Sequence, residues 1–221
     1  MSIFAPFSVP FSGPLSSLAV SFAATSANAN PFLWFVTRAA ATSAYITLSV
    51  TVMIGLLRSL ARVSRLRNSR VLWLLDELHP YLAVLTLAFV VLHLLSLIFD
   101  PLIPFSLINL VLPFDQPYRP FAVDLGVLAL YGLVIVWLSS WMKRRIAYTS
   151  WRTLHYTSFI AFVLVTFHGI FAGSDAAEPW MRLLYVSIAG VVTLLILVRL
   201  FWPEPQVANR SRVAPARRNR Y

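Results

Sequence analysis

The 221-residue chain holds only four histidines, and all four stand in apolar surroundings. His79 and His93 lie in the run ELHPYLAVLTLAFVVLHLL, and His155 and His168 lie in WRTLHYTSFIAFVLVTFHGI. On a helix these spacings correspond to about 21 Å and about 20 Å along the axis. An ionisable group in hydrocarbon is costly and marks a functional site by default. Two imidazoles on each of two segments, at matched depths, suit an iron porphyrin, which takes one axial nitrogen from each side. The macrocycle is a large apolar disc that fits between the helices of a bundle. The reading is therefore two b-type haems, one held by His79 and His155, the other by His93 and His168. Imidazole on both sides leaves the iron no open position, which favours electron transfer over oxygen activation. Two other readings stay open on the residues alone. One is a proton or metal path, which would recruit carboxylates; Asp76 and Glu77 stand near one end of the first run, and none stands at its middle. The other is a set of hydrogen-bonded core histidines.

Composition decides what kind of element positions these side chains. The chain is 59% hydrophobic and only 12% charged, against roughly 25% charged for an average globular domain. Mean hydropathy is +0.76. Such a chain cannot cover a folded surface with polar groups, so its solvent is lipid. A soluble globular domain, a disordered protein and a nucleic-acid module are excluded. There is no cysteine, which excludes disulfides, zinc thiolate sites, Fe–S clusters and thiol nucleophiles.

Five apolar runs, 32–57, 71–99, 121–142, 153–173 and 180–202, are long enough to cross a hydrocarbon core of ~30 Å as helices. They lack the alternation of barrel strands. The expected fold is an all-α integral membrane protein, a five-helix transmembrane bundle covering residues 31–203. Residues 1–30 carry no charge and are rich in Ser, Ala and Pro; they read as an extracytoplasmic tail, since a signal peptide would need a basic start. Residues 204–221 read as a basic cytoplasmic tail. The segment 100–120 is apolar but broken by five prolines, and it reads as an irregular cap on the outer surface.

The net charge of +10 is mostly a topology signal. Arg58, Arg62, Arg65, Arg67 and Arg70 lie between runs 1 and 2, and Lys143, Arg144, Arg145 and Arg152 between runs 3 and 4. With the six arginines from Arg199 onward, fifteen of the 18 basic residues fall at one face. The positive-inside rule puts the N-terminus outside and the C-terminus in the cytoplasm. Runs 2 and 4 are then parallel: His79 and His155 share an inner level, and His93 and His168 an outer one. Tryptophans cluster at the same levels, Trp34 and Trp180 outside, Trp73, Trp141, Trp151 and Trp202 inside, as an aromatic belt.

Helical geometry treats the two runs differently. Fourteen residues at about 100° each end about 40° short of four turns, so His79 and His93 share a face. Thirteen end about 140° short, so His155 and His168 share one only if run 4 is kinked, bulged or tilted. Pro80 offers a bend in run 2. Cationic side chains suit haem propionates. Arg70 and Arg152 are the inner candidates, with topogenic charge as the competing role. Arg38 sits about two turns inside run 1, where an arginine is expensive. It is expected to meet outer propionates or a substrate above them, or else to pair with Asp124. Tyr156 and Trp137 read as packing. Gly169 reads as a close approach, to a porphyrin or to another helix.

The motif Trp151-Arg152-Thr153-Leu154-His155 with His168 thirteen residues on, together with Leu78-His79 and Leu92-His93, resembles the ferric reductase-like transmembrane domain. The resemblance covers roughly residues 32–202. The family includes ferric reductases, the membrane domain of NADPH oxidases and the haem-binding membrane subunit of a bacterial methionine sulfoxide reductase system; the layout is most similar to the last. The resemblance implies b-type haems bridged between the two helices, with electrons passing outward from the cytoplasmic side. Family members commonly have six helices, whereas five are read here. No Gly-rich nucleotide fingerprint occurs, so the donor is expected to be a separate cytoplasmic-side reductase carrying flavin, or a quinol. The acceptor is expected to be an extracytoplasmic protein or a small oxidant such as a ferric chelate or oxygen. The chain then works as the electron-transfer part of an oxidoreductase system in the cell membrane, without catalytic residues of its own. The alternative is a non-catalytic haem-binding subunit of a larger respiratory or photosynthetic membrane complex.

Overall fold

The computed structural model of the protein describes residues 32–63, 70–100, 105–114 and 116–201. The two tails read above, Arg65 and Arg67 and Trp202 lie outside the described residues. Among the described residues seven helices follow one another: α1 (Phe32–Val63), α2 (Arg70–Phe99), α3 (Leu107–Val111), α4 (Pro120–Trp141), α5 (Tyr148–His155), α6 (Thr157–Ala172) and α7 (Pro179–Phe201). Among the described residues there is no strand. Lipid offers no partner for a backbone N–H or C=O, so each crossing segment must satisfy its own, and a helix does. Among the described residues five segments are long and apolar enough to cross, with α5 and α6 together forming the span Tyr148–Ala172. Bulky side chains point outward along them: Leu183 is 67% exposed, Val186 70% and Leu200 72%. Only a hydrocarbon environment makes that surface stable.

The ends follow local chemistry. Pro120 and Pro179 open α4 and α7, where a missing N–H costs nothing. In the segment between α2 and α4, Ser106 caps α3 and forms a reciprocal capping box with Asn109. Within the described part of that proline-broken segment, α3 is thus a short capped helix.

Three boundaries differ from the sequence reading. α1 continues through Arg58 to Val63 instead of ending before the basic cluster. Arginine is a good helix former and its stem can lie along apolar surface while the charge reaches a partner. Arg58 Nε donates to Asp76 Oδ1 of α2 at 2.7 Å. α5 starts at Tyr148, inside the stretch read as a basic loop. α2 passes through Pro80 unbroken, whereas the break falls in the other histidine-bearing run. There the Tyr156 N–H is shared between the carbonyls of Arg152 (3.1 Å) and Thr153 (3.2 Å), a tightened turn directly after His155. The regular 100° step therefore does not connect His155 to His168.

α1 is the hub of the bundle, packing against α2, α7 and α6, while α4 packs against α6 and α5. Tyr45, Leu48 and Val52 of α1, Leu133 of α4, Phe162 of α6 and Ile188 and Val192 of α7 form the buried cluster. α2 and α6 are not packed backbone to backbone. Each leans on its own neighbour, and a gap is left between them. The α4–α6 contact is close: a Cβ on Gly132 would sit 3.0 Å from the Cβ of Ala161, itself 0% exposed. Small residues let membrane helices approach this closely. Gly132→Leu should force α4 from α6 and lower the thermal midpoint of the solubilised protein by several degrees. Gly190→Leu, placed where nothing lies within 4 Å, should leave it unchanged.

Candidate functional site

The four histidines line the gap between α2 and the α5–α6 span. At the basic end, the rings of His79 and His155 stand 6.1 Å apart, centroid to centroid, and are inclined at 61°. Two metal–imidazole bonds of about 2 Å each, plus the half-width of each ring, place two centroids roughly 6 Å apart across a shared metal. At the other end, His93 and His168 line one cavity. It offers about 270 Å³ to the centres of water-sized atoms, many times the ~10–15 Å³ that one water needs. The structure thus brings His79 beside His155 and places His93 and His168 on one cavity.

The second nitrogen of each ring explains how the pairs are held. His79 Nδ1 meets the backbone C=O of Thr51 at 3.1 Å, His93 Nδ1 that of Thr37 at 3.2 Å, and His168 Nδ1 that of Ala122 at 2.8 Å. A carbonyl only accepts, so Nδ1 carries the proton and Nε2 keeps a free lone pair. That is the tautomer a metal ligand needs, and a bond of this kind is the usual outer support of a ligating imidazole. His155 is held differently. Its ring stacks on Trp151, one turn earlier, at 5.2 Å and 26°. Its Nδ1 and the Trp151 Nε1 are both buried without a hydrogen-bond partner.

The arginines separate. Arg38 lines the cavity with His93 and His168. Its guanidinium lies 4.0 Å over the Trp34 ring. It also forks onto Asp175, with Nε 2.8 Å from Oδ2 and Nη2 paired with Oδ1. Asp124, the partner considered from the sequence, is occupied elsewhere. Its Oδ1 accepts the N–H of Phe114, a residue with φ of 80°, so the carboxylate serves the turn after α3. Arg152 is exposed, with Nε on the Tyr156 hydroxyl at 2.8 Å and its guanidinium over that ring. Arg70 is exposed at the first residue of α2. Gly169 faces Tyr185 of α7, whose hydroxyl fills the space a Cβ would take, so it serves helix packing.

Sequence reasoning missed the supports. Thr37, Thr51 and Ala122 act through their carbonyls, which no side-chain motif advertises. Trp151 was assigned to the aromatic belt, yet it packs on a histidine. Gly55 and Gly126 also face imidazoles: a Cβ on Gly55 would lie 3.2 Å from His79 Cε1, and one on Gly126 2.8 Å from His168 Cε1. A glycine at matching depth in each neighbouring span was the only available signal.

The family described as ferric reductase like transmembrane component matches residues 40–166, more than half of the chain. The protein belongs to that family. The match takes in His79, His93 and His155, and it ends two residues before His168. No curated protein and no solved structure matches the chain. As a ferric reductase-like protein it is a multi-pass membrane protein, and the family points to membrane electron transfer. Membership implies haem, and the residues present fit that group. Among the described residues no three His, Cys, Asp or Glu side chains converge as ligands for a bare ion. An iron porphyrin brings four nitrogens of its own and asks for two imidazoles. The paired rings, the Nε2 atoms left to His79, His93 and His168, and the cavity that His93 and His168 line answer that request.

Proposed function

We propose that this ferric reductase-like protein is a di-haem b-type membrane cytochrome. It would relay single electrons from a cytoplasmic-side donor, a flavin-carrying reductase or a quinol, to an extracytoplasmic acceptor. The observation that carries the reading is the set of Nδ1–carbonyl bonds on three of the four histidines, whose rings stand in pairs at two depths. Bound haem supplies reversible one-electron chemistry, and everything else falls to the chain. His79 with His155, and His93 with His168, hold and orient the two groups. The apolar packing of α1, α4 and α7 keeps water from them, which favours outer-shell electron transfer and tunes the potentials. Arg70 and Arg152 offer cations to propionates at the basic end. Arg38 does so at the other: its fork has five donors, and Asp175 takes two of them.

Direction follows from charge. Arg58, Arg70, Lys143, Arg144, Arg145 and Arg152 stand at the end of the bundle that holds His79 and His155, which supports a cytoplasmic position for that end. Because the chain has no cysteine, single cysteines report orientation cleanly. In intact cells Ser174→Cys should react with a membrane-impermeant maleimide, and Ala147→Cys should react only after lysis. The reverse pattern would invert the proposed direction. The cofactor reading is tested by a pyridine haemochrome assay on purified protein. Two haems per polypeptide are expected, and none would end the proposal.

A further inference from the structure

The supports of the imidazoles repeat in a way that the ligand pairs alone do not demand. His79 Nδ1 bonds the C=O of Thr51, and the residue four positions later on α1 is Gly55. His168 Nδ1 bonds the C=O of Ala122, and the residue four positions later on α4 is Gly126. His93 Nδ1 bonds the C=O of Thr37, and the residue four positions later is Ala41. In a helix the carbonyl of residue n already accepts the N–H of residue n+4. A second donor must approach its outer lone pair from the side. Every Cα–Cβ bond tilts toward the helix N-terminus, so the side chain at n+4 leans over that carbonyl. Glycine there leaves the approach widest; the alanine at 41 still admits His93 Nδ1 at 3.2 Å, but it narrows the approach. The clearances agree: a Cβ on Gly126 would stand 2.8 Å from both Cε1 and Nδ1 of His168, and one on Gly55 3.2 Å from His79 Cε1.

We infer that Gly126 and Gly55 are positioning residues for electron transfer: each opens one helical carbonyl to an imidazole Nδ1–H and thereby sets the electron donation of that ligand. The inference rests on the two-haem reading above. A hydrogen bond from Nδ1–H to a carbonyl raises the basicity of Nε2, and a more basic axial ligand stabilises the oxidised iron. Losing that bond therefore raises the reduction potential of one site and leaves the other alone. A glycine serving only helix packing would change stability without selecting one potential.

The test is a potentiometric titration of the purified haem-loaded full chain, followed optically, on wild type, Gly126→Ala, Gly55→Ala and Gly190→Ala. Gly126→Ala should shift one of two midpoints upward, because the His168 ring must move. Gly55→Ala should shift the other midpoint by less, since its clearance is larger. Gly190→Ala should shift neither. Two retained haems with unmoved midpoints in both Gly126→Ala and Gly55→Ala would overturn the inference. So would a common shift of both midpoints in either variant. If Gly126→Ala fails to fold, Gly55→Ala decides alone by the same criterion. Failure of the underlying reading looks different: wild type itself would then not show two haems.

Discussion

Replacing His93 with alanine should reduce the haem content from two per polypeptide to one, and His168→Ala should produce the same protein by spectrum and stoichiometry. His79→Ala and His155→Ala should remove the other haem. A bis-imidazole site that loses one ligand keeps a single axial bond, and the gap between α2 and α6 has no other histidine at that depth to replace it. The effects should be strongly non-additive within a pair and additive between pairs, as expected for residues acting on one group or on two. His79→Ala combined with His155→Ala should still leave one haem, whereas His79→Ala combined with His93→Ala should leave none. Haem per polypeptide, measured on protein of unchanged helical content, checks the whole pattern. Loss of both haems from any single substitution, in a folded protein, would contradict the two-site arrangement.

The second large effect concerns Arg38. Its side chain is 29% exposed and that of Asp175 14%, and they meet in a fork across 137 residues of sequence. Removing one partner of such a pair strands the other charge in a poorly solvated place. For fully buried pairs the cost is about 3–5 kcal/mol, and partial exposure brings the expectation here to about 2 kcal/mol. Arg38→Met should therefore lower the unfolding midpoint markedly. Asp175→Asn added to it should recover most of the loss, because no uncompensated charge remains. Thermal unfolding of the four proteins in one detergent closes the double-mutant cycle. A double variant no more stable than Arg38→Met would show that the pair is not the source of the loss. The same pair bears on function. Asp175 belongs to the turn between α6 and α7 and lines the cavity with Arg38, His93 and His168. Unlocking the fork should therefore also alter the rate at which an external oxidant reoxidises the protein.

These two expectations differ in how far the sequence alone could reach them. The histidine pairing was legible because it depends on axial rise and on the order of crossings. A helix advances by a constant step, and two spans separated by one other run in the same direction. Angular register was only half legible. The fourteen-residue spacing on α2 needed nothing further, and the thirteen-residue spacing required an interruption. The structure places that interruption at Tyr156, whereas the proline at position 80 leaves its helix intact. Proline marks where a helix can bend, but in lipid the neighbouring spans decide whether it does.

What the sequence by itself determined is everything that scales with distance along one chain segment. Hydropathy over some twenty residues defined five spans, charge at their ends defined a polar asymmetry, and helical rise defined two depths for four imidazoles. What only the tertiary structure decided is everything that depends on which surfaces meet. Asp175, and not Asp124, answers Arg38. Trp151 stacks on His155, and the carbonyls of Thr37, Thr51 and Ala122 fix three of the four rings. A backbone carbonyl has no side-chain signature, and the value of Gly55 or Gly126 lies in an atom that is missing. Neither can be recognised until a neighbouring helix brings an imidazole within hydrogen-bonding reach.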